Sequence, residues 1–225
     1  MPAAVVILAA GSGSRVGASV NKVLLPLADS TVLGMSVRAA RHTRDVRRIL
    51  VVHRDGEADA VATAIGGELG DGEVTLVVGG ATRHDSEWQA LRVLRPEIEA
   101  GAIDVVAIHD GARPLVSPEL FDRTIEIASR VGGAIPAVPA SGLVERHTLA
   151  ARTGVVGVQT PQAFRAAALL SAYAAAEAEG FQGTDTAATL TRAGEVTIAA
   201  VPSTPWNLKV TFPEDVALLA ELMAR

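Results

Sequence analysis

Short apolar runs rich in Val, Ile and Ala fall at residues 5–9, 48–53, 74–78, 105–109, 133–138 and 196–201. Helical patterns fill the intervals, at residues 31–42, 57–65, 82–94, 118–131, 165–178 and 184–193, and 213–223 closes the chain. Apolar runs of this length without alternation suit strands buried on both faces, and a helix between successive strands makes them parallel. The rhythm predicts an α/β fold of three layers, with a mostly parallel, Rossmann-like sheet between two layers of helices. Two helix starts are marked locally. Ser117-Pro118 places proline at the first helical position, and Pro213-Glu214-Asp215 places acids in a first turn, where they favour the helix dipole.

A length of 225 residues is enough for one sizeable α/β domain or two small ones. We read it as one domain spanning 1–225 with an insertion at about 139–160, where periodicity fades. That segment holds a strand candidate at 155–158 and ends in Gln159-Thr160-Pro161-Gln162. It keeps apolar residues and a defined turn, which favours a protruding arm for a partner over a loose surface loop.

Composition narrows the function. Aromatic residues make up 3% of the chain, too few for the stacking platforms of single-strand nucleic-acid binders. The formal net charge is −5 with no basic run, so a nucleic-acid partner is not expected. Small anions remain possible ligands, because a cleft focuses positive potential against the global sign. Cysteine is absent, which excludes a disulfide framework and a cysteine–zinc site and fits a reducing cytoplasm. No apolar run is long enough for a membrane span or shaped like a signal peptide.

The first strand runs into Ala9-Ala10-Gly11-Ser12-Gly13-Ser14-Arg15, with Lys22 beyond. Glycines let backbone N–H groups approach an anion, and two cations reinforce a phosphate loop. A P-loop requires Gly-Lys-Ser/Thr, but Lys22 lies between Asn21 and Val23. A dinucleotide fingerprint requires a third glycine at Val16, and an acid roughly 20 residues on. Asp55 lies 44 residues past Gly11. The loop therefore binds phosphate in another manner, with Arg15 and Lys22 taking part.

Other motifs sit where ligands gather. His109-Asp110-Gly111-Ala112-Arg113-Pro114 follows a strand. Asp110 there can hold Mg²⁺ through oxygen, and Arg113 can hold a phosphate or pair with Asp110 to fix the turn. His109 reads as structural. Gly79-Gly80 with Arg83, Asp85 and Ser86 forms a second loop-to-helix junction, where glycines would let a flat base lie close. Lys209 precedes the last helix, a setting that suits an anion. Thr184-Asp185 reads as a helix start. No nucleophile–base–orienter set is visible, and no serine stands in a Gly-x-Ser-x-Gly setting. A phosphate monoester attacking a nucleotide α-phosphorus needs no general base. Such chemistry calls for positioning and positive charge, the inventory found here.

In this order, these motifs, with Thr160-Pro161-Gln162 and Lys209-Val210-Thr211-x-Pro213-Glu214-Asp215, resemble the 2-C-methyl-D-erythritol 4-phosphate cytidylyltransferases of non-mevalonate isoprenoid synthesis. The resemblance runs the length of the chain and implies a nucleotide-diphospho-sugar transferase type of fold. It implies that Arg15 and Lys22 are catalytic and that Ala9, Ala10, Gly11, Gly13, Gly79, Gly80, Arg83, Ser86 and Ala112 bind the nucleotide CTP. It assigns Asp110, Arg113, Arg152, Thr160, Thr184 and Lys209 to the sugar phosphate, with Asp110 near Mg²⁺. It also implies a homodimer in which the 139–160 arm completes the neighbouring site.

Four positions depart from that family's usual pattern. Ser141-Gly142 stands where an Asp-Thr pair is common, Asn21 where proline is common, Ala81 where Asp is common, and Thr186 where an acid is common. Another polyol phosphate such as ribitol 5-phosphate is therefore an alternative acceptor, and a nucleotide-binding paralogue without activity is a third reading.

Overall fold

The computed structural model describes residues 1–11, 21–69, 73–183, 185–194 and 196–223. In chain order the elements are β1 (Ala3–Leu8), β2 (Pro26–Leu27), β3 (Ser30–Thr31), α1 (Val32–Arg41), β4 (Val46–His53), α2 (Ala58–Ile65), β5 (Val74–Val78) and α3 (Arg83–Glu99). Then follow β6 (Val105–Asp110), α4 (Pro118–Val131), β7 (Gly132–Pro139), β8 (Val156–Val158), β9 (Gln162–Arg165), α5 (Ala166–Glu179), α6 (Thr186–Ala193), β10 (Thr197–Pro202) and α7 (Pro213–Met223).

The main sheet runs β10-β7-β9-β6-β1-β4-β5, with β8 paired to β7. β1 lies between β4 and β6 and is parallel to both, and β4–β5 and β7–β10 are also parallel. Side chains on β1 divide by parity, as a two-sided buried strand requires. Ala3, Val5 and Ile7 pack into one core with Leu33 and Val37 of α1, Val61 of α2 and Phe121 of α4. Ala4 and Val6 face the opposite core with Leu91 and Leu94 of α3, Leu169 and Tyr173 of α5, and Leu190 of α6. These are the three layers that the strand–helix rhythm predicts.

Helix ends follow their sequence signals. The Ser117 side chain accepts from the Leu120 N–H, with Pro118 at the first helical position of α4. Thr82 and Asp85 form a reciprocal capping box at α3. Asp215 accepts from the N–H groups of Thr211 and Phe212 at the start of α7.

One strand departs from the expected order. Residues 162–165, read from sequence as the exit from a turn and the first residue of a helix, form β9, which is antiparallel to both β6 and β7. Four residues are too few to display a period. Packing decides the matter instead: Ala163 and Phe164 are fully buried, and Phe164 lies over Gly133 of β7. A Cβ at Gly133 would sit 2.6 Å from the Phe164 ring, so the missing side chain makes room for the inserted strand. The short β2–β3 hairpin also lacks a sequence signal.

The aperiodic segment leaves the sheet after β7 and returns through β8, antiparallel to Ala137–Pro139. Between them a Val144–Ala151 bridge closes a hairpin on which Leu143, Val144 and Leu149 are exposed. Among the described residues, no helix is long and apolar enough to cross a membrane.

Candidate active site

The carboxyl ends of β1 and β6 lie side by side, with Leu8 paired to Asp110, and β4 and β5 end in register beside them at His53 and Val78. Loops leaving this edge enclose a cleft of about 450 Å³, a normal size for a small-molecule site. Among the described residues, Lys22, Arg83 and Lys209 bring three cations to its wall, against the single carboxylate of Asp110. The floor of the cleft is thus cationic in a protein whose formal net charge is −5.

Asp110 is the hub. Its Oδ1 pairs with Arg83 Nη1, and its Oδ2 accepts from Lys209 Nζ at 2.8 Å. Arg113 Nε stands 3.8 Å from the same oxygen. Burial alone would raise the Asp110 carboxyl, but Arg83 and Lys209 outweigh it and hold the group below the usual carboxylate range. Behind Asp110, three neutral groups form a chain. The Asp110 N–H donates to Thr160 Oγ1 at 3.0 Å, and Thr160 Oγ1 lies 3.0 Å from His109 Nδ1. His109 Nε2 faces the Arg113 carbonyl at 3.3 Å. Burial pushes His109 down to about 3, so the ring is neutral, and a proton on Nε2 satisfies every contact in the chain.

Lys209 is brought in by the segment before α7. Val210 N–H donates to the Ala112 carbonyl at 2.8 Å. Asn207 donates to the Thr160 carbonyl at 2.9 Å, and its own carbonyl accepts from Arg113 Nη1 at 2.7 Å. Arg113 therefore fastens two loops behind Asp110 and does not line the cleft. Thr160 is likewise buried, with its hydroxyl engaged by Asp110 and His109. Of the two roles left open for Arg113, its contacts are those of the turn-fixing one.

The glycine pair has a packing reason beyond making room for a base. A Cβ on Gly79 would meet Ser86 Oγ and Ala10 Cβ within 3 Å, and one on Gly80 would run into Asp85. Ser86 Oγ accepts from the Gly80 N–H at 3.1 Å and so shapes this loop as well as lining the cleft. The start of α3, with Thr82 and Arg83, also borders the cleft.

Gly13 and Arg15 in the first loop, and Thr184, lie outside the described residues. The two ends of that loop are tied together by residues not singled out from sequence. Asn21 Nδ2 donates to the Ala9 carbonyl at 2.8 Å and to Glu57 Oε2 at 2.9 Å. Arg54 reaches the Gly11 carbonyl with one nitrogen and Glu57 Oε1, at 3.4 Å, with another. Asn21 also caps the short 3-10 turn that presents Lys22. Arg152 is not brought to the cleft within this chain. It lies on the arm, paired with Glu145 at 3.2 Å. Glu87, also missed from sequence, is 1% exposed behind Arg83. Burial raises its carboxyl, against the opposing pull of Arg83, Tyr173 and Thr186.

The family model for 2-C-methyl-D-erythritol 4-phosphate cytidylyltransferase matches residues 3–225. The chain belongs to this family. It is accordingly a nucleotidyltransferase of isoprenoid biosynthesis. A family member from Cereibacter sphaeroides is 41% identical, covering 100% of this chain and 98% of its own. Another, from Acidobacterium capsulatum, is 36% identical over 96% of this chain and 95% of its own. The crystal structure of the Thermus thermophilus 2-C-methyl-D-erythritol 4-phosphate cytidylyltransferase superposes with a TM-score of 0.73 at 29% identity, covering 100% of both chains. Placed in this cytidylyltransferase family, the cleft has a physical logic: cations converge where strand ends open, and among the described residues no histidine or cysteine lines it.

Proposed function

We propose that this cleft joins CTP to 2-C-methyl-D-erythritol 4-phosphate, giving 4-diphosphocytidyl-2-C-methyl-D-erythritol and pyrophosphate. The observation that carries the proposal is the convergence of Lys22, Arg83 and Lys209 on one cleft, in which Asp110 is the single carboxylate among the described residues. An oxygen of the methylerythritol phosphate attacks the α-phosphorus of CTP in line. One P–O bond forms, the bond to the bridging α–β oxygen breaks, and pyrophosphate leaves. The attacking oxygen is already anionic, so no proton has to be removed. Lys22, together with Arg15, neutralises the charge that builds on the equatorial oxygens. Arg83, the glycine pair and Ser86 hold the nucleotide, and Lys209 and Asp110 face the acceptor.

The donor set fits Mg²⁺ only as a companion of the triphosphate. Among the described residues there is no cluster of three or more metal-type side chains. Asp110 presents both oxygens to cations, yet each oxygen has a second lone pair for a hard ion whose remaining ligands are phosphates. Asp110 would hold Mg²⁺ in that way, and the ion would neutralise triphosphate charge.

We further propose a cytoplasmic homodimer. Exposed Leu143, Val144 and Leu149 on the arm support a partner there, and Arg152 on the same hairpin would then reach the partner's acceptor site. The absence of cysteine supports a reducing compartment.

The test is pyrophosphate release from CTP or UTP against a panel of polyol phosphates. We expect release with CTP and the methylerythritol phosphate, and at least a tenfold lower kcat/KM with ribitol 5-phosphate. Faster release with ribitol 5-phosphate would overturn the acceptor. No release with any acceptor, despite CTP binding, would overturn the activity.

A further inference from the structure

Arg83 has two carboxylate partners of different character. Asp110 lies in the cleft, where an incoming phosphate would compete with it for Arg83. Glu87 is one helical turn further along α3, is 1% exposed and does not line the cleft. Its Oε1 stands 2.8 Å from Arg83 Nε, on the side of the guanidinium away from the Nη1 that reaches Asp110. The remaining capacity of Glu87 is filled from two other helices. Thr186 of α6 donates to Oε1 at 3.0 Å, and the Tyr173 hydroxyl of α5 donates to Oε2. Tyr173 is itself held by a stacked His84 ring, 4.6 Å between centroids. Glu87 is thus a carboxylate engaged from three helices, and among the described residues its cationic partner is an arginine that lines the cleft. A buried carboxylate is costly unless paired, and no packing need on α3 calls for charge at this position.

We propose that Glu87 is a positioning residue, holding the Arg83 guanidinium toward the nucleotide as phosphate displaces Asp110 from it. The proposal rests on the nucleotide assignment made above. Without Glu87, Arg83 would keep, among the described residues, only Asp110 as a carboxylate partner, one with which CTP phosphate competes for the guanidinium, and its side chain would have to be ordered at the expense of binding energy.

Calorimetry with CTP tests this. Glu87→Gln preserves shape and leaves hydrogen-bonding capacity toward Tyr173 and Thr186 while removing charge, so the fold survives. Its Kd for CTP is expected to rise about tenfold, with KM for CTP rising by a similar factor and kcat changing less. Restoring a carboxylate from α6 provides the second readout. Glu87→Ala/Thr186→Glu should bind CTP at least fivefold more tightly than Glu87→Ala/Thr186→Gln, because position 186 already reaches the Glu87 oxygen. A Kd for Glu87→Gln within twofold of wild type would overturn the role. So would equal affinities in the two double variants, each shown folded by circular dichroism. Wild-type protein that binds no CTP would overturn the nucleotide assignment itself, and the role of Glu87 with it.

Discussion

At the scale of single residues, the cleft works by holding one carboxylate among several cations, and the chain behind Asp110 is what fixes that carboxylate. Thr160 is the central link, since its hydroxyl meets both the Asp110 N–H and the His109 ring. Thr160→Val removes both contacts with little change in volume. It should lower kcat/KM by about tenfold and cost roughly 1–3 kcal/mol of stability, as measured by steady-state kinetics and urea unfolding. The neutral His109 makes a pH prediction of definite sign. Its folded value lies near 3, below the free imidazole value of about 6.5, so the unfolded chain binds more protons between them. The stability it contributes is present above about pH 6.5 and is lost as pH falls toward 3, with a slope of up to about 1.4 kcal/mol per pH unit. His109→Gln removes that titration, and urea unfolding across this range should show a shallower slope than wild type. An unchanged slope would assign the acid sensitivity of this range to other groups; Asp110 acts lower. Its depressed carboxyl stabilises the fold above the ordinary carboxylate range, and that contribution is lost only as pH falls below it.

At the scale of elements, the parts most legible in the sequence are those governed by local rules. The apolar runs at 48–53 and 105–109 became β4 and β6 because a strand buried on both faces needs only continuous Val, Ile and Leu. Thr82, Ser117 and Asp185 cap their helices because a side-chain oxygen there meets a free N–H. What stayed hidden depends on contacts between distant residues. Strand β9 is defined by Phe164 seating over Gly133, 31 positions away, and neither residue announces the other. The same holds in the site. Arg83 and Lys209 were legible as cations in loops, whereas Glu57, Glu87 and Tyr173 were read only as helix residues, because partners such as Asn21 for Glu57 and Tyr173 for Glu87 come from other elements. The arm belongs to this scale as well. Replacing residues 141–155 with a short Gly-Ser turn removes its exposed apolar side chains and leaves the β7 pairing with β9 and β10 intact. Sedimentation is expected to show a dimer for the full chain and a monomer for the shortened one. A truncated chain that remains dimeric would place the interface elsewhere.

At the scale of the whole molecule, a sheet buried on both faces carries a rigid edge on which loops from β1, β5 and β6 and the segment before α7 meet. The fold supplies the position, and the loops supply the charge. A net-negative protein thereby presents a cationic cleft to a triphosphate and a phosphate monoester together. The central claim is that positioned cations, without a nucleophile or general base, drive cytidylyl transfer here. The most direct measurement is steady-state pyrophosphate release from saturating CTP and 2-C-methyl-D-erythritol 4-phosphate by purified wild type and Lys22→Ala. The account predicts turnover by wild type and a fall in kcat of about 10²-fold or more in the variant, with unchanged thermal unfolding. A folded Lys22→Ala protein that turns over within threefold of wild type would contradict it.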